Sequence, residues 1–220
     1  MKKIAMTFAL AAVAAAAAAA VRNHVPGKLD GTCTTFRPAA AKFSHVLVVN
    51  VGGAIPEEDW PLVVGYAASR IPINVWTNSL PESPVSKLVA DASPAALKAA
   101  VGDDKAVVAV FVERLSSGAS ALVVPGVFSR VDVKWLESDS PSRATLRDRQ
   151  AKTVLRGMAW ACGAGATIEP MCSLFYGART LAGMDRTNVT ISPMAYFPMV
   201  EVLRALGGDE AVNPAPDETE

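Results

Sequence analysis

The chain has 220 residues with 21 basic and 21 acidic side chains, so its formal net charge at pH 7 is zero. This balance, without a polybasic patch, argues against a nucleic-acid-binding protein and against electrostatic binding to a lipid surface. The roughly 200 residues that follow the N-terminal segment are enough for one domain with a sizeable core.

The N-terminal segment has the pattern of a secretory signal peptide. Lys2 and Lys3 precede an apolar run at 4–21, which is rich in alanine and ends in small residues. We expect a signal peptide at 1–20 and a mature protein that is periplasmic or secreted, with no further membrane span. A retained anchor is the alternative, because a run of 18 residues is near the lower limit for crossing a bilayer.

The folded part of the chain is expected to begin after a short leader. Residues 21–44 contain prolines and glycines without a clear period, and we interpret them as an N-terminal leader segment. A single domain is predicted at 45–208, and it opens with a β-branched strand at 45–51. Proline and acidic residues then predict the start of a helix over 56–70.

Short apolar runs and helical patterns alternate through the middle of the chain. Two helical pieces are predicted within 83–102, with a break before a proline. Further strands are predicted at 73–76, 105–112, 121–124 and 129–135. The last of these alternates polar and apolar residues, which favours an edge or half-exposed position.

A long helix is predicted after the cap residues at 140–142. Its apolar positions recur with the helical period, and Gly163 ends it. An irregular stretch, a last helix at 192–206 and a disordered acidic tail at 209–220 complete the chain. The order of elements predicts an α/β fold, a mixed β-sheet with packed helices.

The end of the long helix and the segment after it carry a family pattern. Gly163, Cys172 and Leu174 are spaced as the helix-breaking glycine, a cysteine and the turn methionine are in archaemetzincins, a family of the metzincin clan of zinc proteases. Flanking positions that also resemble the family are Arg149, Lys152, Leu181, Asp185 and Arg186. The resemblance implies a zincin-like or metzincin-like fold.

The positions of the zinc site depart from the family pattern. Arg156, Trp160 and Ala166 stand where the three zinc-binding histidines are expected, and Gly157 stands at the general-base glutamate. A catalytic zinc needs three protein ligands, whereas a guanidinium is a permanent cation. The resemblance therefore implies a degenerate zinc protease with no catalytic residue, metal or cofactor.

The replaced residues define a candidate binding cleft. Arg156 and Trp160 are one helical turn apart and share a face, where a guanidinium can stack on an indole. Together with Ala166 they are expected to line the former active-site cleft. The cleft either binds a peptide, a carboxylate, a glycan or an envelope protein, or the two side chains plug the vacated site and bind nothing. We interpret the chain as an exported, non-catalytic binding module; the alternative is an exported hydrolase with an unrecognised, non-zinc site.

The cysteines and acidic residues leave further alternatives open. Export permits a disulfide, which is predicted between Cys162 and Cys172, with Cys33 as another possible partner. Cys162 is interpreted as a buried structural cysteine; a nucleophile activated by His45 is the alternative. A calcium site is a further alternative for three carboxylates near the last strand: Asp132, Glu137 and Asp139.

Overall fold

The computed structural model of the protein describes residues 44–71, 73–116, 121–207 and 212. The signal peptide, almost all of the leader and all but one residue of the tail predicted from the sequence therefore lie outside the described residues. Within the described part, no helix is both long enough and apolar enough to cross a membrane.

Five strands form one mixed sheet in the spatial order β2-β1-β3-β5-β4. The strands are β1 His45–Val51, β2 Val75–Leu80, β3 Ala106–Glu113, β4 Leu122–Val124 and β5 Phe128–Asp132. Strands β2, β1, β3 and β5 run parallel to their neighbours, and β4 pairs antiparallel with β5 at one edge. The mixed α/β sheet predicted from the sequence is confirmed.

Six α-helices and one 3₁₀ helix surround the sheet in the described part of the chain. They are α1 Trp60–Ala68, α2 Val85–Ala90, α3 Pro94–Val101, the 3₁₀ helix Lys134–Glu137, α4 Arg143–Ala161, α5 Leu181–Arg186 and α6 Pro193–Gly207. Helix α4 packs on β3, β5 and α1, and α3 packs on β3.

The sheet has an apolar core on each of its faces. Successive side chains of a strand point to opposite faces. Val46 and Val48 accordingly belong to the cluster that contains the buried faces of α1 and α4, whereas Leu47 and Val49 belong to the cluster that contains those of α2 and α3. Burial on both faces explains why β1 and β3 are mostly apolar and do not alternate between polar and apolar residues.

Helix α4 begins and ends where the sequence pattern predicts. Ser142 is its N-cap, and its hydroxyl accepts a hydrogen bond from the Thr145 N–H at 3.2 Å. Gly163 follows the helix with φ of +80°, a conformation that glycine adopts at little cost. The Ala164 N–H then bonds back to the Ala159 carbonyl at 2.9 Å, which turns the chain sharply.

Three elements differ from the sequence prediction. The strand predicted at 73–76 is found at Val75–Leu80. The strand predicted at 129–135 ends at Asp132, and β5 lies inside the sheet because the short β4 covers its outer side. The stretch after Gly163 contains the short helix α5, whose N-cap hydroxyl on Thr180 accepts from the Gly183 N–H at 3.1 Å.

Candidate functional site: a cleft between α4 and β4

A cavity of about 580 Å³ lies between helix α4 and the edge strand β4. Residues of its walls include Val123, Val131, Trp135, Arg156, Trp160 and Arg179. Its volume falls within the range of small-molecule binding sites. We call this cavity the α4–β4 cleft.

Arg156 is the buried cation of the α4–β4 cleft, with 8% of its surface exposed. Its Nη1 donates a hydrogen bond to the Ala178 carbonyl at 2.5 Å, and its guanidinium carbon lies 4.8 Å from the centre of the Trp160 ring system. Its Nε is buried without a hydrogen-bond partner. Desolvation, followed by repulsion from Arg179, lowers the pKa of Arg156 to about 10, so the side chain is still protonated at neutral pH.

Two of the three cleft residues named from the sequence line the cavity. Arg156 and Trp160 are in its wall, and the stacking expected between them is present. Ala166 is exposed and outside the lining, so the structure differs here from the prediction. Because the chain turns sharply after α4, Ala164 and Gly165 reach the cavity in its place.

The segment after α4 returns to the buried side of the helix. Leu174 is buried in the same apolar cluster as Met158 of α4, and its carbonyl accepts from the Thr167 N–H at 3.0 Å. The Cys172 sulfur accepts from the N–H groups of Leu174 and Ser192, both at 3.3 Å. This arrangement holds Leu174 in the core, as the resemblance implies for the turn position.

The structure carries Cys162 and Cys172 as buried free thiols, so the disulfide predicted between them is not formed in it. Cys162 packs in the core at the end of α4, and Cys172 is engaged by backbone donors instead. Burial raises the pKa of the Cys162 thiol, which keeps it protonated and unreactive. His45 hydrogen-bonds Asp103 at 2.5 Å, at the start of β1. These contacts argue against a Cys162 nucleophile with His45 as its base. Cys33 lies outside the described residues.

Protein donors engage each of the acidic residues considered for calcium, and Asp132 Oδ2 alone is buried without a hydrogen-bond partner among them. Asp132 Oδ1 accepts from two backbone N–H groups, those of Leu115 and Lys134. Glu137 forms an ion pair with Arg114, and Asp139 forms one with Arg149. Across the described ranges, no group of three histidine, cysteine or carboxylate side chains is placed to hold a metal ion. The calcium alternative therefore has no structural support.

A buried arginine ties the short helix α5 to α4. Arg149 of α4 is 2% exposed; its guanidinium bonds both oxygens of Asp139, both oxygens of Asp185 and the Leu136 carbonyl. These bonds raise the pKa of Arg149 and lower the pKa of both carboxyls. The same network ties α5, which supplies Met184 to the cavity wall, to α4.

Several cavity residues were not singled out by the sequence analysis. Val123 lines the cavity from the edge strand β4. Arg179, which is 23 residues after Arg156 in the chain, lines it because the chain returns to α4. Neither residue stands in a recognisable motif. Only the tertiary contacts bring them beside Arg156.

Comparisons with known proteins support the fold. No protein-family model matches the chain, and no curated protein matches it by sequence. The crystal structure of archaemetzincin from Methanopyrus kandleri matches with a TM-score of 0.51 and 14% identity, over 73% of this chain and 96% of that chain. The crystal structure of a zinc-dependent peptidase from Methanocorpusculum labreanum matches with a TM-score of 0.52 and 14% identity, over 70% of this chain and 99% of that chain.

Identities of 14% carry information about the fold alone. The order of elements, the turn after α4 and the buried Leu174 agree with the resemblance found in the sequence. The chain therefore has an archaemetzincin-like fold.

Proposed function

We propose that this chain is an exported, non-catalytic protein that binds an extended peptide segment in the α4–β4 cleft. The observation that carries the proposal is the buried Arg156 stacked on Trp160 in the cleft wall. A zinc ion does not fit this pair, because a guanidinium repels a cation and an indole offers no lone pair. The cleft therefore offers a guanidinium and an indole to a ligand other than a metal ion.

The edge strand favours a peptide over other ligands. β4 pairs with β5 on one side, and among the described strands no other strand pairs with it. An edge strand offers main-chain N–H and C=O groups to which an extended peptide can add. Val123 of β4 and Ala121, which directly precedes the strand, both line the cavity. A bound segment would thus meet both hydrogen-bonding groups and apolar side chains.

The hydrolase alternative has less support from the same residues. Asp132 is the one carboxylate among the described cavity-lining residues, and its Oδ1 is already held by two backbone N–H groups. General acid–base hydrolysis by carboxylates commonly uses a pair of them. A single restrained carboxylate therefore does not favour hydrolysis.

Peptide binding can be tested with arrays of random octapeptides probed with the tag-free mature protein. We expect a subset of octapeptides to bind, with slower hydrogen exchange over residues 121–124 and 153–165. Val123→Arg places a long charged side chain in the cleft and should weaken binding at least tenfold. Val89→Arg is the matched control, because Val89 is an exposed valine on α2. Failure of every octapeptide to bind, or equal binding by Val123→Arg, would refute the proposal.

The proposal that the protein is non-catalytic is tested separately. The same protein is incubated with the bound octapeptides and zinc, and the products are analysed by mass spectrometry. We expect intact peptides and substoichiometric zinc by elemental analysis. Zinc bound one to one, together with cleavage that Arg156→Met abolishes, would show that the site is catalytic after all.

A further inference from the structure

Arg156 differs from the other buried cations of the described structure. Arg149 is paired with two aspartates, and Lys152 is paired with Asp148 and bonded to the Met184 carbonyl. Arg156 forms no ion pair with any described carboxylate; its one hydrogen bond goes to a backbone carbonyl. Buried charges are normally paired, because an unpaired charge loses its hydration without compensation.

Arg156 lies in the cleft wall and has N–H donors without a hydrogen-bond partner. A guanidinium carries five N–H donors, and one bond to Ala178 leaves most of them unused. Nε has no partner, and no described residue accepts from Nη2. Trp160 stacks on the face of the guanidinium, so the unused donors, which include the buried Nε, lie along its N–H edge. Such an edge matches a carboxylate, which accepts two parallel hydrogen bonds.

The local charge adds to this preference. Arg179 lies in the same wall and is exposed, so two cations share one side of the cleft. Their mutual repulsion contributes to the lowered pKa of Arg156, and a bound anion would relieve it. Asp132, the one carboxylate among the described lining residues, forms no hydrogen bond or ion pair with Arg156, so the two arginines leave a local excess of positive charge, which attracts anionic ligands.

We propose that the α4–β4 cleft recognises a carboxylate of its peptide, with Arg156 as the pairing residue and Arg179 as an attracting charge at the rim. The inference rests on the proposed peptide binding. The carboxylate can be the C-terminus of the peptide or an aspartate or glutamate side chain, since both present the same two oxygens.

The test compares matched octapeptides. Each octapeptide bound in the array is made with a free C-terminal acid, with a C-terminal amide, and with its aspartates and glutamates changed to asparagine and glutamine. We expect one of the two neutralised forms to bind at least about tenfold more weakly, the loss typical of a charge-assisted hydrogen bond. The neutralised form that loses affinity shows whether the recognised carboxylate is the C-terminus or a side chain of the peptide.

Variants connect that loss to Arg156. Arg156→Met should bind the acidic and neutralised octapeptides equally, within about twofold, while its urea midpoint is no lower than that of the native protein, since it removes an unpaired buried charge. Arg70→Met is the control, because Arg70 stacks on Tyr66 outside the cleft. Arg179→Met should reduce the preference only partly.

The outcomes distinguish failure of the carboxylate inference alone from failure of peptide binding. Binding that is equal for all three peptide forms would overturn the carboxylate inference and leave peptide binding intact. An acid preference that persists in Arg156→Met would also overturn it. If no octapeptide binds in any arm, both proposals fail.

Discussion

Gly157 of α4 packs directly against the sheet. An added Cβ on Gly157 would lie 2.6 Å from Val110 Cγ1 and 3.1 Å from Val131 Cγ1, and the Gly157 carbonyl accepts from the Ser129 hydroxyl at 2.8 Å. The helix thus approaches the sheet at a distance that leaves no room for a side chain. The side chain of a glutamate, the residue that the family pattern has at this position, does not fit here.

Gly157→Ala is expected to lower the free energy of unfolding by about 1–3 kcal/mol, because the methyl group overpacks the contact with β3 and β5. The measurement is urea unfolding followed by circular dichroism. Gly165→Ala is the control, since nothing lies within 4 Å of its added Cβ, and its effect should stay within about 0.5 kcal/mol. Equal stability of the two variants would contradict this packing.

At the scale of elements, ion pairs of Arg149 hold α4 to the neighbouring segments of the chain. Arg149 joins α4 to α5 through Asp185 and to the chain before α4 through Asp139. The hydrogen bonds from Arg149 hold the pKa of both carboxyls below the ordinary value of 3.8. A carboxyl whose pKa is lower in the folded protein contributes stability above its unfolded pKa, and this contribution is lost as pH falls through the folded pKa.

Acidification should therefore weaken the attachment of α5 below about pH 4. Asp185→Asn is expected to cost about 1 kcal/mol at pH 7, a modest value because Asp185 is partly exposed, and to make stability less dependent on pH below 4. Urea unfolding across pH 2–7 measures both effects. Asp91→Asn, at an exposed residue outside any described ion pair, should change neither. A parallel pH dependence in native and Asp185→Asn protein would argue against this role.

At the scale of the whole molecule, an archaemetzincin-like fold carries a cleft whose wall contains a buried arginine stacked on a tryptophan. The similarity to two solved structures extends over 70% or more of the chain, and the resemblance in the sequence places an arginine, a tryptophan and an alanine at the family's zinc-ligand positions. The core depends on apolar volume and periodicity, which tolerate many substitutions. A metal site depends on the identity of three side chains, so it can be lost while the fold remains.

Export is a prediction for the whole chain. The charged start, the apolar run at 4–21 and the small residues that end it should direct cleavage, so the mature protein should begin near residue 21. Mass spectrometry of protein from the native host, after separation of membrane and soluble fractions, measures the N-terminus. A chain that keeps Met1 and stays with the membrane would favour the anchor alternative.

The sequence alone determined the features that depend on local physics. The caps of α4, the positive φ at Gly163 and the apolar runs of β1 and β3 are set by residues close in the chain, so periodicity and capping rules predict them. The pairing of Arg156 with Trp160 is of the same kind, since both lie on one face of one helix.

Which distant residues meet depends on the packing of the whole fold. The edge position of β4, the place of β5 inside the sheet and the approach of Ala178 and Arg179 to Arg156 depend on packing between separate elements. The exposure of Ala166 likewise follows from the path of the chain after α4. Because a strand's neighbours and a loop's return path are selected by burial of the whole core, no local pattern encodes them.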